Sequence, residues 1–94
     1  MKKAECPIAS VAILLSDTWT ILLIRDLLRK PMRFCELERS LVGISTRTLA
    51  LKLKRLKEKE VMIKTAKGNY QLSKKGKGMR AIIEAMDRYG QRHA

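Results

Sequence analysis

Gly43-Ile44-Ser45-Thr46-Arg47-Thr48-Leu49-Ala50-Leu51-Lys52-Leu53-Lys54-Arg55-Leu56-Lys57-Glu58-Lys59 is the stretch on which the reading of this sequence turns. Ser45 is a good helix N-cap, because its hydroxyl accepts from free backbone N–H groups of the first turn. Leu49, Leu53 and Leu56 recur at helical spacing and share one face. The remaining surface is dominated by Lys and Arg, with Glu58 the one acid. Gly43 lets the chain turn just before this helix. A short helical pattern from Phe34 to about Ser40 precedes it. Helix, glycine turn, basic amphipathic helix is the helix-turn-helix order. Taken alone, the basic helix reads equally well as a solvated surface helix, since Lys and Arg are good helix formers. The rest of the chain decides between the two.

Ninety-four residues allow one core, so residues 1–94 are expected to form a single domain. Aliphatics are plentiful, and the aromatics are Trp19, Phe34, Tyr70 and Tyr89, which suits a mainly α fold. The net charge is +12 and the pI about 10.2. Such a charge speaks of anionic partners: DNA, RNA or an anionic membrane. It is unevenly placed. No acid lies between Glu60 and Glu84, yet Lys64, Lys67, Lys74, Lys75, Lys77 and Arg80 do. A basic face on a more neutral body is the footprint of a nucleic-acid binder. No transmembrane helix or signal peptide is expected, because polar residues break the apolar stretch from Ile8 to Leu28. Two cysteines without a secretory pattern point to a reducing cytoplasm.

Along the chain, residues 1–5 read as a polar start. Pro7 opens a helix running to Leu15 that is apolar almost all round and needs cover on several sides. Ser16-Asp17-Thr18 is a cap signal, and Trp19–Leu28 is expected to be the most buried helix. Pro31 stops it. Met32-Arg33-Phe34 suits a very short strand. Val61–Ala66 alternates, placing Val61 and Ile63 on one face and Met62 and Lys64 on the other. Lys67-Gly68-Asn69 is a tight-turn signal, and Tyr70-Gln71-Leu72 returns as a second strand. A hairpin directly after a basic helix reads as the wing of a winged helix. Ser73 caps a last helix from Lys74 to about Arg92, with Met79, Ile82, Ile83, Met86 and Tyr89 on one stripe. That stripe and the apolar first helix together point to a homodimer.

No catalytic constellation is visible. His93 is the one histidine, and no Cys/His pair has metal-ligand spacing. No enzyme, cofactor or metal is expected. Glu36 and Glu38 read as surface charge. Cys6 stands at a helix start, where the reactive thiolate is favoured, and Lys2 and Lys3 are close in sequence. It is the candidate redox sensor, with plain packing as the alternative. Cys35 reads as mainly structural.

Several of these motifs, in order, resemble the HxlR-type winged helix-turn-helix transcription regulators, relatives of the MarR group. Cys6-Pro7, the Trp19–Leu27 helix, Arg33-Phe34-Cys35-Glu36-Leu37, Gly43-Ile44-Ser45, the Leu49–Leu53–Leu56 pattern and Leu72-Ser73-Lys74-Lys75-Gly76 carry the resemblance. It spans Cys6 to about Tyr89. The resemblance implies a homodimeric DNA-binding regulator dimerising through its terminal helices; some such regulators sense electrophiles or oxidants at the residue matching Cys6. Two departures stand out: the wing is shorter than usual in that group, and Glu60 replaces the usual glycine.

The reading is therefore a mainly α winged helix-turn-helix protein with a small β-hairpin wing. It binds double-stranded DNA as a sequence-specific homodimeric transcription regulator. The effector, a small molecule or an oxidant, is not identified. Ser45, Thr46, Arg47 and Thr48 are expected in the major groove, with Arg47 in bidentate contact with a base. Lys52 and Arg55 continue toward phosphate, and Arg33, Lys64 and Lys67 are phosphate-contact candidates, the last from the wing. Leu51, off the leucine face, is either a thymine-methyl contact or a surface leucine. The alternative function is a non-specific architectural nucleic-acid-binding protein.

Overall fold

A computed structural model describes residues 6–94; the Met1–Glu5 segment, with Lys2 and Lys3, lies outside the described residues. The elements run α1 (Pro7–Leu14), α2 (Thr18–Arg29), α3 (Phe34–Ser40), α4 (Thr46–Glu58), β1 (Met62–Lys64), β2 (Tyr70–Leu72), α5 (Lys74–Lys77) and α6 (Arg80–His93).

Helix α2 starts where Asp17 caps it: the carboxylate accepts from the Thr20 backbone N–H at 2.9 Å and from the Thr20 hydroxyl at 2.8 Å. It buries Leu23, Ile24 and Leu27, and these meet Leu37 and Leu41 with Leu49, Leu53 and Leu56 of α4. Two polar residues share this interior, Thr20 and Asp26. Asp26 is buried, and its carboxylate accepts from the Ser40 hydroxyl at 2.6 Å and from Arg25 at 2.9 Å. That bond fastens the end of α3 to α2. Glu36 is more than a surface charge, since it accepts from the Arg33 backbone N–H at 2.9 Å and so caps α3.

Gly43 takes φ +95 in the turn between α3 and α4, the left-handed region that glycine tolerates. At the other end of α4, Glu60 takes φ 61, also left-handed. The Glu60 N–H donates to the Lys57 carbonyl and the Val61 N–H to the Leu56 carbonyl, both at 3.0 Å. This pair of bonds closes the helix as a Schellman motif. Glu60 thus fills the glycine position rather than abolishing the turn.

The hairpin is antiparallel, with Met62 opposite Leu72 and Lys64 opposite Tyr70. Met32 adds one bridge to Tyr70, which is all of the short strand expected there. The faces differ from the expected alternation. Val61 falls in the bend before β1, so Val61 and Met62 are both buried and Ile63 is exposed. The last helix also differs. Ser73 caps only the short α5, accepting from the Gly76 N–H at 3.2 Å. Gly78 and Met79 then turn the chain before α6, and Met79 points into the core. Gly76 sits against the Val61 carbonyl, which a Cβ there would strike. Helices, turn and hairpin together make a winged helix-turn-helix.

Neither α1 nor α6 buries a residue completely. The expected stripe on α6 divides: Met79 and Ile83 pack on the core, while Ile82, Met86 and Tyr89 are exposed. No single helix among the described residues is long and apolar enough to cross a membrane; α1 and α2 together are apolar, but the chain bends by 90° between them.

Candidate nucleic-acid interface

The basic face of α4 is defined by what its leucines do. With Leu49, Leu53 and Leu56 in the core, a helix turning about 100° per residue puts Arg47, Leu51 and Lys54 on the opposite crest. All three are exposed. Ala50 and Lys57 flank the crest on the side toward the hairpin. There a concavity of about 270 Å³ is floored by Phe34, Met62 and Tyr70 and rimmed by Lys54, Lys57 and Lys64.

Each expected site residue can now be located. Ser45 caps α4, its hydroxyl accepting from the Thr48 N–H at 3.0 Å while donating to the Thr48 hydroxyl at 2.8 Å. The Thr46 hydroxyl donates to Glu38 at 2.7 Å, which clamps the two helices of the motif together and gives Glu38 a structural task. Arg47 alone among these four makes no side-chain hydrogen bond or ion pair among the described residues. Its fork is free for an external acceptor. Lys64 lies 5.4 Å from the centre of the Tyr70 ring, and this cation–π contact holds it on the wing. Arg33 reaches the wing turn, with its Nη1 3.5 Å from where a Cβ on Gly68 would stand, beside exposed Lys67. Arg33, Lys64 and Lys67 therefore gather at one end of the hairpin.

Two of the expected residues are engaged within the chain. Lys52 is half-buried and pairs with Asp17 at 3.1 Å. Arg55 donates to the Ile13 carbonyl at 3.3 Å. Both leave α4 on its α1–α2 side, away from the crest. Their angular position, one turn apart beside the leucine stripe, is the reason. Burial alone would raise the Asp17 carboxyl, but the Thr20 N–H and hydroxyl and the Lys52 ammonium outweigh it and hold it below the usual carboxylate range. Lys54 and Lys57 are the cations that face outward instead. Projecting the sequence on a helical wheel finds them, since they lie seven and ten residues after Arg47. Arg55 also borders a second concavity of about 460 Å³ with Lys59 and Lys75, between α1, the end of α4 and α6.

Cys6 is half-buried and occupies the N-cap position of α1, with no side-chain capping bond. Cys35 is exposed, which corrects its structural assignment: α3 turns Leu37 inward and leaves Cys35 on the outer side. No group of three or more His, Cys, Asp or Glu that could hold a metal occurs among the described residues.

This geometry has known counterparts. A Synechocystis sp. protein described as an uncharacterized HTH-type transcriptional regulator is 31% identical over 91 residues, covering 90% of this chain and 67% of the relative. The quinone-bound YodB of B. subtilis is 31% identical with a TM-score of 0.84, over 93% of this chain and 98% of YodB. A Porphyromonas gingivalis W83 protein named for the MarR family reaches a TM-score of 0.90 at 27% identity, over 100% of this chain and 98% of that one. Residues 14–94 match the HxlR-like helix-turn-helix family. The chain belongs to that family, and it is a transcriptional regulator of helix-turn-helix type.

Proposed function

We propose that the chain acts as a single-domain, homodimeric and sequence-specific regulator of duplex DNA, with α4 as its recognition helix. The observation that carries this is the unpartnered Arg47 on the crest of α4, above a groove rimmed by Lys54, Lys57 and Lys64. Arg47 reads a base edge through its bidentate fork, and the lysines with Arg33 and Lys67 hold the phosphates. Two copies present two such helices, so half-sites are expected with centres about 10 base pairs apart or a multiple of that. Homodimerisation is supported by α1 and α6, whose outer apolar faces a second copy would cover.

The test is competition between a selected operator and random duplex at fixed salt. Arg47→Ala is expected to cost about 1–3 kcal/mol and to relax preference at one position per half-site. Lys67→Ala should weaken every sequence alike and flatten the salt slope. If the two variants behave identically, Arg47 does not read bases. If random duplex competes as well as the operator, the protein is an architectural binder.

A thiol response at Cys6 belongs to the same reading. Its support is the position of Cys6 at the start of α1, next to the apolar face, and the likeness to a quinone-bound relative. A reducing cytoplasm is the compartment this requires. Alkylation of a Cys35→Ser protein should change operator affinity, and Cys6→Ser should remove that change. Unaltered binding after alkylation of Cys6 would leave a regulator without a thiol switch.

A further inference from the structure

Leu51 is the unexplained residue of the recognition helix. It is 56% exposed, although it stands in the middle of a helix that has already placed three leucines in the core. The other large exposed apolar side chains lie on the terminal helices, in the turn at Val42 and on the wing at Ile63. Leu51 is on none of these elements. Arg47 precedes it by one turn, and Lys54 follows by one turn. An apolar spot hemmed by cations is ill suited to a second copy of a chain carrying +12. It is suited to a polyanion that carries an apolar group of its own. On the major-groove edge of duplex DNA there is one such group, the pyrimidine 5-methyl.

We propose that Leu51 reads a pyrimidine 5-methyl group in each half-site, close to the base pair contacted by Arg47. The spacing follows from the helix. Leu51 lies about 6 Å further along the axis than Arg47. Bases on one strand step by about 3.4 Å. The methyl therefore falls within about two base pairs of the pair that Arg47 reads. Arg47 supplies hydrogen-bond specificity and Leu51 supplies exclusion of water around the methyl, so the two residues discriminate by different physics. This inference rests on the assignment of α4 to the major groove. The methyl is shared by thymine and 5-methylcytosine, and the two sources are separable by synthesis.

The experiment uses the whole chain and its selected operator. Each thymine of a half-site is replaced in turn by deoxyuridine, which deletes the methyl and keeps the pairing. One position is expected to weaken binding by the native chain about 4-fold, the worth of one buried methyl-sized group. The same replacement should have no effect on Leu51→Ala, which folds because the side chain is exposed and alanine favours helix. With cytosine at that position, its 5-methylation should raise affinity by a similar factor for the native chain only. Uridine penalties equal in both proteins would overturn the role of Leu51 while leaving Arg47 as base reader. Failure of Arg47→Ala to relax any base preference would take down the groove assignment, and this inference with it.

Discussion

From Thr18 to Leu72 the chain closes a core of its own, whereas its two ends do not. The middle elements bury a leucine core, hold Asp26 with a hydroxyl and two guanidinium groups, and leave no buried side-chain polar atom without a partner among the described residues. Helices α1 and α6 bury nothing completely, and Ile8, Ile82, Met86 and Tyr89 lie open. Apolar side chains therefore serve two purposes. Leucines spaced along α4 make an interior within one chain. Isoleucine, methionine and tyrosine along α6 lie open, on the face that the proposed second copy would cover.

The largest effect that would break this contrast is at the ends. Met86→Glu would place a carboxylate in both halves of the proposed two-fold interface, costing about 5 kcal/mol in all. Sedimentation should show association more than a thousandfold weaker, with the monomer still folded. A dimer of unchanged strength would mean that α6 is not in the interface. In the middle region, Gly76→Ala should cost about 3 kcal/mol in urea unfolding, because the new Cβ meets the Val61 carbonyl and neither backbone can yield cheaply. A neutral result would show that α5 is loosely held. Smaller and opposite in sign, Glu60→Gly should stabilise by about 1 kcal/mol by relieving the left-handed residue at φ 61. Glu60→Ala should bring no such gain. The smallest effect is confined to acid. The folded carboxyl of Asp17 titrates below its unfolded value, so its stabilisation is present above about pH 4 and is lost as the pH falls through the lowered value. Asp17→Asn should flatten that limb of the stability profile; an unchanged acid limb would remove Asp17 as its cause.

Local chemistry was legible in the sequence wherever one residue type has one physical use. Ser45 and Asp17 are caps, Gly43 and Gly68 are turns, and the leucine spacing orients α4. What the sequence hid was set by tertiary approach. The division between α5 and α6 falls just after Gly76, which packs on Val61, a contact fifteen residues apart that no periodicity encodes. The cations of α4 look interchangeable in composition, yet Lys52 and Arg55 are tied to Asp17 and Ile13 while Lys54 and Lys57 face outward. A helix-wheel angle separates them, and charge counting does not. Exposure of Cys35 and burial of Met62 likewise depend on which side of a short element meets the core.

The bond from Arg55 to the Ile13 carbonyl ties α4, the proposed recognition helix, to α1. Coupling of this kind is reciprocal in free energy. If a reversible adduct at the start of α1 weakens operator binding by some factor, operator binding disfavours that adduct by the same factor. The protein sitting on its operator would then be the copy least responsive to the signal, and the free pool would set the sensitivity. Such a circuit registers a stimulus through the molecules that exchange, so its threshold depends on how many copies the cell holds in excess of its operators.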